Sequence, residues 1–430
     1  MRILVVGGGA REHAIVWRLS LQEGENEMFC APGNAGIAEL ASCVEIHPTN
    51  IIELADFAQS LSMDLTIVGP ELPLSLGIVD EFQKRGLPIF GPTQTAAQIE
   101  CSKAWAREFF AKYDIPGPKF AITFNKQETL KTIKQNNWGY PIVLKVDGLA
   151  QGKGTIIAQK KDEVEDFLEH AFIQKTYGIA GEKIILEEFL EGIELSFQVV
   201  TDGYKVMPLA SAQDYKRQLD GDNGPNTGGM GSYSPSVYMN LETHQKIMNS
   251  IIIPTVQGLE NEGRLYKGVL YAGVILTKQG PKLLEYNARF GDPETQAIMP
   301  RLQGNCIECL QAAIVGRLHD IKLEWKKEAC ICIVLASKGY PDSYEINKEI
   351  SGLEAASEIP SVQIFHAGTK KENGTIVSSG GRVLSVTATA PSLSQAYERA
   401  YSAIDLIHFD GMQCRKDIAV NAIEYFKQKQ

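Results

Sequence analysis

Short apolar runs alternate with helical patterns over the first 118 residues, and this alternation constrains the fold more than any other feature. The run from Arg2 to Val6 predicts a buried strand, which three glycines connect to a helix over about 11–22. The later elements predicted in the same way are strands near 65–68 and 88–90 and helices near 51–61 and 95–113. Such alternation is typical of a parallel sheet covered by helices. We therefore expect an N-terminal parallel α/β domain over 1–118, ending at a Pro/Gly cluster.

Three further segments follow this domain. Residues 119–191 alternate strand and helix patterns around a glycine-rich hairpin, which suffices for a small α+β lid subdomain. Residues 192–326 continue with strands and helices, and a polar stretch at 220–229 predicts a loop that closes over a site. Residues 327–430 start with an apolar strand and contain several more short strands, so we expect a small β-rich C-terminal domain. The chain as a whole is predicted to be an α/β and α+β multidomain protein.

Composition narrows the classes of function. The 430 residues carry 52 acidic and 42 basic side chains, a formal charge of −10, whereas nucleic-acid-binding proteins usually show a basic excess. No apolar run approaches the roughly 18 residues that predict a membrane span. The apolar run at the N-terminus is too short for a secretory signal, and the eight cysteines lack the spacing of a zinc site. We therefore expect reduced thiols in the cytoplasm.

A glycine-rich turn at 7–9 lies between the first strand and the first helix, where backbone N–H groups and the helix dipole favour an anion. The dinucleotide-binding fingerprint needs a third glycine where this sequence has Glu12. A phosphate-bearing metabolite therefore fits better than NAD, with Arg11 and His13 as additional donors. A tight turn that serves only packing is the alternative for this motif considered alone.

The second motif is a lysine on a strand followed by a glycine-rich connection. Lys145 lies in an apolar run, and the segment 148–154 connects that run to the next one. The order differs from a Walker motif, in which the lysine follows the glycines. A hairpin of this kind can cover a triphosphate with backbone N–H groups, while the lysine supplies a fixed positive charge. A simple β-hairpin is the alternative.

The third motif is an acidic strand end. An apolar run at 184–186 leads into several carboxylates, among them Glu187, Glu188 and Glu194. Backbone groups of such a strand can pair with an adenine edge, and a carboxylate can accept hydrogen bonds from ribose hydroxyls. A strand with a solvated acidic end is the more common explanation for this motif alone.

The fourth motif is a strand with alternating polar side chains. Glu285, Asn287 and Arg289 share one face because side chains alternate along a strand. Carboxylate and amide oxygens are hard ligands for Mg²⁺, and an arginine beside them can bind a carboxylate or phosphate. The strand before it, at 268–277, has no carboxylate, so we expect two protein ligands for the metal. The segment at 292–294 predicts a helix start with an aspartate N-cap and a proline at the first helical position.

The order of these motifs is more specific than any one of them. A strand lysine with a glycine-rich hairpin, an acidic strand end and an E-x-N strand follow one another as in ATP-grasp enzymes, which this sequence resembles. Within that superfamily it resembles the family of phosphoribosylamine–glycine ligases over nearly its whole length. The segments that carry the resemblance are VVGGGAREHA at 5–14, VGPELPLSLG at 68–77, FGPTQTAAQIECSK at 90–103, KVDGLAQGKG at 145–154, QDYKR at 213–217, GPNTGGMGSYSP at 224–235, LEYNARFGDPETQ at 284–296, FHAGT at 365–369 and SGGRVLSVTA at 379–388.

The resemblance implies an activity and its substrates. Such an enzyme transfers the γ-phosphoryl group of ATP to glycine, and 5-phosphoribosylamine attacks the resulting acyl phosphate. The products are glycinamide ribonucleotide, ADP and phosphate, in de novo purine biosynthesis. ATP is thus a substrate, Mg²⁺ or Mn²⁺ the implied metal, and glycine and 5-phosphoribosylamine the other small-molecule partners. We expect no nucleic-acid or membrane partner, and a monomer or weak dimer.

The resemblance also implies roles for individual residues. Those implied for ATP are Lys103, Lys145, Gly152, Lys153, Gly154, Glu187, Glu188, Phe189, Leu190 and Glu194. The implied metal ligands are Glu285 and Asn287, and the implied catalytic residues are Lys103, Lys145 and Arg289. Those implied for the other substrates are Gly8, Gly9, Arg11, Glu12, His13 and Glu71 for phosphoribosylamine, and Asp214, Lys216 and Arg289 for glycine.

Other functions are open at this point. A carboxylase-type ATP-grasp enzyme would phosphorylate bicarbonate, and the segments QDYKR and NTGGMG weigh against it. A nucleotide-binding module without turnover would not need every phosphate and metal ligand.

Overall fold

The N-terminal region forms a parallel sheet, as predicted. The computed structural model describes residues 1–149 and 154–429. The strands of this sheet are Arg2–Gly7, Glu27–Pro32, Ser42–Cys43, Leu65–Val68 and Ile89–Phe90, in the spatial order third, second, first, fourth, fifth. Its helices are Ala10–Ser20, Ile51–Ser60, Glu71–Ser75, Ile78–Lys84, Gln98–Cys101 and Lys103–Lys112. Arg2–Gly7 is central because its alternate side chains enter different cores: Leu4 and Val6 pack in one, Ile3 and Val5 in the other.

A four-stranded antiparallel sheet follows at the predicted lid. Its strands lie in the spatial order Phe120–Thr123, Ile184–Glu188, Ile142–Val146 and Thr155–Ala158. Its helices are Lys126–Asn136 and Lys161–Leu168. They cover one face with a separate apolar core that includes Leu144, Phe167 and Leu186. Lys145 lies between Leu144 and Val146 on the strand, so its side chain points to the face opposite this core.

The next sheet is also antiparallel and has four strands. They lie in the spatial order Val206–Pro208, Ile193–Thr201, Gly268–Thr277 and Gly280–Asn287. Two helices, Leu241–Ile247 and Ile253–Asn261, lie in the chain between its strands, and Glu294–Ile298 and Cys306–Val315 follow its last strand. One face of this sheet is apolar and packs against the N-terminal domain through a shared core that contains Phe197, Leu270 and Leu283. The opposite face is polar and forms the floor of the site described below.

The C-terminal sheet has five strands, two of which come from the preceding region of the chain. The spatial order is Gln213–Asp214, Gly231–Ser234, Ala329–Ala336, Arg382–Ala390 and Val362–His366. The helices of this region are Leu353–Ser357, Leu393–Ile404 and Val420–Lys429. Three two-stranded ribbons complete the described part of the chain: Arg217–Leu219 with Asn223–Asn226, Leu302–Gln303 with Glu324–Trp325, and Thr369–Glu372 with Thr375–Ser378. The domain boundaries at 118, 191 and 326 stay predictions.

Two local predictions were wrong. The long helix expected at 95–113 is interrupted at Ser102, whose hydroxyl accepts a hydrogen bond from the N–H of Trp105 at 3.2 Å and so caps a new helix. The polar stretch at 220–229 is not an irregular loop, since Asn223–Asn226 pairs with Arg217–Leu219. Arg415 explains the second difference, because its guanidinium donates to the carboxylate of Asp222 at 2.8 Å and ties the hairpin to the C-terminal region. Among the described helices, none is both long and apolar enough to cross a membrane.

Candidate active site

One face of the central sheet collects polar side chains from three neighbouring strands. The register pairs Ser196 with Gly273 and Gly273 with Glu285, so Ser196 and Glu285 lie on the same face. It also pairs Gln198 with Tyr271 and Tyr271 with Asn287. The residues that share this face are therefore Glu194, Ser196, Gln198, Tyr271, Glu285 and Asn287. This alignment joins the third and fourth sequence motifs across the sheet.

Lys145 reaches this face from the lid. Its Nζ lies 3.4 Å from the backbone oxygen of Leu284, which precedes Glu285, and 3.0 Å from Oε2 of Glu187. Nε of Arg107 donates to the other carboxylate oxygen of Glu187 at 2.6 Å. All three side chains are buried. Burial opposes ionisation of Glu187, but the charges of Arg107 and Lys145 lower its pKa, so the carboxylate bridges two cations.

This arrangement reveals one residue that was not predicted. The carboxylate of Glu187 is paired with Lys145 and Arg107, while its role in binding the nucleoside stays a prediction. Arg107 was missed, although an arginine on the apolar face of the helix Lys103–Lys112, beside Ala104 and Phe110, is a signal that the sequence contains.

Lys103, the other lysine predicted to bind phosphate, lies near Lys145. Its Nζ donates to the backbone oxygen of Gly148 at 2.7 Å, at the start of the glycine-rich hairpin. The carboxylate of Asp147 holds the two segments together, since it accepts from the hydroxyl of Ser102 at 3.0 Å and from the N–H of Ala104 at 3.1 Å. Gly152 and Lys153 lie outside the described residues. Gly154 accepts a backbone hydrogen bond from Val146 at 2.8 Å.

Glu285 lies in a cationic environment. Its Oε1 is 3.7 Å from Nζ of Lys216, and Lys145 and Lys103 also act on it. Burial would raise the pKa of Glu285, but the three lysines lower it to about 2, so the carboxylate is ionised. Lysines from three segments of the chain thus surround Glu285, and two of them are also paired with Glu187 and Glu194. A cluster of lysines of this kind can bind an anionic ligand.

Glu285 and Asn287 fit the predicted metal. They offer an ionised carboxylate and an amide oxygen on one strand face, which are hard donors of the kind that Mg²⁺ and Mn²⁺ prefer. Oδ1 of Asn287 accepts from Nη2 of Arg289 at 3.2 Å. The described residues contain no group of three or more His, Cys, Asp or Glu that could bind a metal by itself. The remaining ligands of such an ion would therefore be phosphate oxygens and water.

The other residues predicted for the nucleoside lie on the connection between the lid and the central sheet. The carboxylate of Glu188 accepts from the N–H of Lys119 at 3.0 Å. Phe189 is exposed and Leu190 half-buried, and both lie between the strands Ile184–Glu188 and Ile193–Thr201. The carboxylate of Glu194 lies 3.1 Å from Nζ of Lys216. Of these residues, Glu194 lies on the same polar face as Glu285.

The N-terminal glycine turn lies against the end of the central sheet. Arg11 donates to the backbone oxygen of Phe290 at 3.4 Å, and its Nε lies 2.6 Å from Oε1 of Glu12. Oε2 of Glu12 accepts from the N–H of Gly9 at 2.7 Å, so this carboxylate caps the helix, and its contact with substrate stays a prediction. A Cβ on Gly8 would lie 2.5 Å from the backbone oxygen of Gly33, which explains the glycine there.

His13 is buried on the same helix and faces the C-terminal domain. Its Nδ1 accepts from the N–H of His366 at 2.8 Å. Burial, together with His366, lowers the pKa of His13 to about 3, so the ring is neutral. Since Nδ1 accepts, the proton lies on Nε2 and that nitrogen can donate. His13 is thus available as a neutral donor only.

Arg289 lies between two acids of the N-terminal domain. Its Nε lies 3.1 Å from the carboxylate of Glu71, and its Nη2 lies 3.4 Å from that of Glu100. Glu100 also accepts from the N–H of Ala288 at 2.6 Å, and its burial raises its pKa to about 7 despite the charge of Arg289. Glu100 was not predicted as a site residue. Its neighbours in the sequence do not indicate that its partner is Arg289, which lies far along the chain.

Asp214 and Lys216 lie beside the polar face. Near them are Arg382 and Asp292, which were not predicted as site residues. Arg382 of the C-terminal sheet forms an ion pair with Asp292 at 2.6 Å and donates to the backbone oxygen of Gly228. Asp292 is not the N-cap, because the helix starts at Glu294 with Pro293 at the cap position. Its carboxylate instead joins Arg382 and Gln296. The two glycines that precede Arg382 were the feature of the sequence that could have drawn attention to this arginine.

Comparisons with known proteins agree with this geometry. Family models match three consecutive parts of the chain: the phosphoribosylglycinamide synthetase N domain at 1–100, its ATP-grasp (A) domain at 101–295 and its C domain at 330–421. The chain is 48% identical to the phosphoribosylamine–glycine ligase of Caldanaerobacter subterraneus subsp. tengcongensis, over 97% of this chain and 99% of that protein. It is 46% identical to the ligase of that name from Vibrio cholerae serotype O1, over 98% and 99%.

Solved structures give the same result. The crystal structure of phosphoribosylamine–glycine ligase from Thermotoga maritima superposes with a TM-score of 0.82 at 33% identity and covers 97% of this chain and 100% of that one. Biotin carboxylase from Campylobacter jejuni shares the fold alone, with a TM-score of 0.74 at 15% identity over 98% of this chain and 95% of that one. The activity of the chain is ATP-dependent ligation of glycine in purine biosynthesis. The chain belongs to the phosphoribosylglycinamide synthetase family, whose three domains it carries in order.

Proposed function

We propose that the polar face of the central sheet activates glycine as an acyl phosphate, which 5-phosphoribosylamine then attacks. The observation that carries this proposal is the convergence of Lys145, Lys103 and Lys216 on the ionised carboxylate of Glu285. A carboxylate is a poor electrophile, and transfer of a phosphoryl group to it supplies a good leaving group. Cations at this position neutralise the charge that spreads over the phosphoryl oxygens during transfer.

Residues of the lid and the central sheet hold the nucleotide. Lys145, Lys103 and Gly154 bind the triphosphate, and Gly152 and Lys153 contribute to the same binding. The backbone of Glu187 and the segment Glu188 to Leu190 contact the adenine, and Glu194 accepts the ribose hydroxyls. Glu285 and Asn287 hold Mg²⁺ or Mn²⁺. When bound, such an ion neutralises phosphate oxygens and fixes their orientation.

The N-terminal turn binds 5-phosphoribosylamine. Gly8, Gly9 and Arg11 lie at the start of the helix Ala10–Ser20, where N–H groups favour a phosphate. Neutral His13 donates from Nε2, and Glu71 together with Arg289 lies between this turn and Asn287. This placement directs the amine of the substrate towards the acyl phosphate.

Glycine lies beside the metal, with its carboxylate near Arg289 and Lys216 and its remaining atoms near Asp214. Closure of the lid excludes water, which would otherwise hydrolyse the acyl phosphate. We also propose that the enzyme is cytoplasmic, a monomer or weak dimer, and has no nucleic-acid partner. Its eight free cysteines support the first point, and its acidic net charge of −10 supports the last.

Glycine labelled with ¹⁸O in its carboxylate tests the acyl phosphate. The protein is incubated with labelled glycine, ATP, Mg²⁺ and 5-phosphoribosylamine, and the released phosphate is analysed by mass spectrometry. We expect one labelled oxygen in each phosphate, because the carboxylate oxygen stays with the phosphoryl group when the amine attacks. Unlabelled phosphate, formed with normal yield of glycinamide ribonucleotide, would exclude the intermediate.

A further inference from the structure

Glu294 is a buried carboxylate beside the proposed glycine site. It is 1% exposed, and its Oε1 accepts hydrogen bonds from the hydroxyls of Ser196 at 2.8 Å and Tyr271 at 2.5 Å. Both hydroxyls belong to the polar face of the central sheet. In the part of the chain that the structure describes, no basic side chain forms an ion pair with Glu294. Burial of a carboxylate without a cation is unfavourable unless another group compensates it.

A second carboxylate lies close to the first. Oδ1 of Asp214 is buried and has no hydrogen-bond partner among the described residues. Burial, reinforced by the charge of Glu294, raises the pKa of Asp214 well above its usual value. Lys216 and Arg382 act on Asp214 from a distance, but their ion pairs are formed with Glu194 and Glu285 and with Asp292. The two acids therefore share a pocket that lacks positive charge in direct contact.

An unsatisfied donor faces the same pocket. Gln198 is 1% exposed, and its Oε1 accepts from the N–H of Gly291 at 3.0 Å, whereas its Nε2 has no acceptor within the described residues. A Cβ on Gly291 would lie 2.6 Å from Oε2 of Glu294 and 3.1 Å from Nε2 of Gln198, so both atoms face one point. Buried polar groups in native proteins are almost always paired, so the free Oδ1 of Asp214 beside Glu294 indicates a ligand that donates hydrogen bonds. The free Nε2 of Gln198 is itself a donor and would have to pair with another part of such a ligand.

Glycines allow the chain to approach these acids closely. A Cβ on Gly229 would lie 2.8 Å from Oδ1 of Asp214 and 2.3 Å from Cδ of Pro293. Gly229 also has a φ of 105°, which other residues rarely adopt. The pocket is therefore bounded by backbone on the sides where a larger residue would fill it.

We propose that Glu294, assisted by Asp214, binds the α-ammonium group of the amino-acid substrate and so selects glycine over carboxylates that lack an ammonium group. This inference rests on the proposed function. The ammonium group of glycine takes no part in the reaction, so it can remain bound while the carboxylate is phosphorylated. Lys216 lies 3.7 Å from Glu285, between the polar face and Asp214. Glycine bound through its ammonium group by the acids and through its carboxylate by Lys216 would present that carboxylate to Glu285 and Asn287. Glu294 is thus a specificity-determining residue.

The variant Glu294→Gln tests this assignment because it keeps the shape of the side chain and removes its charge. We expect KM for glycine to rise roughly tenfold to a hundredfold, the usual effect of losing a charge-assisted hydrogen bond, while KM for ATP stays unchanged. Glycolate, which has a hydroxyl group in place of the ammonium, is the matched competitor. The preference for glycine over glycolate, measured as the ratio of kcat/KM in ADP release, should fall by at least tenfold.

Controls separate this role from a structural one. Glu398→Gln removes an exposed acid from the helix Leu393–Ile404 and should leave KM for glycine, KM for ATP and the preference for glycine unchanged. Thermal unfolding checks that Glu294→Gln is folded. If it is not folded, Asp214→Asn takes its place in the test, and we expect the same fall in the preference for glycine. A folded variant with unchanged KM for glycine and unchanged preference would overturn the inference. A wild-type protein without glycine-dependent ADP release would instead overturn the proposed function.

Discussion

Glu285 and Glu294 lie on one continuous segment of the chain, yet their surroundings are opposite. Glu285 is half-exposed and lies among Lys216, Lys145 and Lys103, which lower its pKa to about 2 despite its partial burial. Glu294 is fully buried, contacts two hydroxyls, and shares its pocket with Asp214, whose pKa is raised. The first region surrounds its carboxylate with lysines, whereas the second brings two carboxylates together without an ion pair to either among the described residues.

The difference shows that a residue type alone does not define a role. The lysine-rich region is complementary to a polyanion with its metal ion, and the acid-rich region is complementary to a small cation. A carboxylate that lies among cations stabilises the ligand-free protein, whereas paired buried carboxylates destabilise it. Substitutions in the two regions should therefore differ in the substrate they affect and in the sign of their effect on stability.

The largest effect is expected from Lys145→Ala in the lysine-rich region. Loss of a fixed charge from the transferring phosphoryl group should lower kcat about a hundredfold to a thousandfold. Glu187 keeps Arg107 as its partner, so the fold should persist. Steady-state ADP release measures the change, and circular dichroism checks the fold.

Lys134→Ala is the control for that substitution. Lys134 is exposed on the helix Lys126–Asn136 of the same lid, and its removal should leave kcat unchanged. Turnover by Lys145→Ala equal to that of the wild type would exclude the lysine from phosphoryl transfer and would remove the main evidence for the charge-rich region.

A smaller effect is expected from Glu285→Gln, which removes a charged metal ligand. Its apparent affinity for Mg²⁺ should fall about tenfold or more, since a neutral amide is a weaker ligand than a carboxylate. Titration of ADP release with Mg²⁺ at saturating glycine measures this change. Glu294→Gln should leave the Mg²⁺ titration unchanged and raise KM for glycine instead. If both variants alter the same parameter, the two regions do not have separate functions.

The sequence predicted the elements of the site better than their partners. The strand that carries Lys145 and the shared face of Glu285 and Asn287 follow from local patterns, because alternation along a strand fixes which side chains lie together. The parallel N-terminal sheet follows for a similar reason. The pairing of Ser196, Gly273 and Glu285 across three strands depends on register, which no local pattern specifies.

The misses share one physical cause, namely contacts between segments far apart in the chain. Asp147 interrupts the predicted helix at Ser102, and Arg415 orders the polar stretch near Asp222. Glu294 lies in the first turn of a helix that the sequence predicts, but its hydroxyl partners come from two other strands. Local propensity predicted its secondary structure correctly and gave no information on its environment.

The smallest effect, and the sharpest test of the comparison, is the stability of Asp214→Asn without ligands. Because the folded-state pKa of Asp214 is raised, the folded protein retains a proton that the unfolded chain loses above about pH 4. Wild-type stability therefore falls as pH rises from that value through the folded-state pKa, whereas an asparagine does not titrate. Tm of Asp214→Asn should exceed that of the wild type by roughly 2–4 °C at pH 7 and by less at pH 4.

Glu285→Gln should show the opposite sign. The folded-state pKa of Glu285 is lowered to about 2, so its stabilising effect is present above about pH 4.5 and is lost as pH falls towards 2. Its replacement should lower Tm at pH 7, because the favourable interaction of its carboxylate with Lys216, Lys145 and Lys103 is then lost. Asp166→Asn, at an exposed position of the helix Lys161–Leu168, is the control and should shift Tm little at either pH. If Asp214→Asn and Glu285→Gln shift Tm at pH 7 in the same direction, the two carboxylates do not lie in electrostatically opposite surroundings, and the comparison of the two regions is wrong.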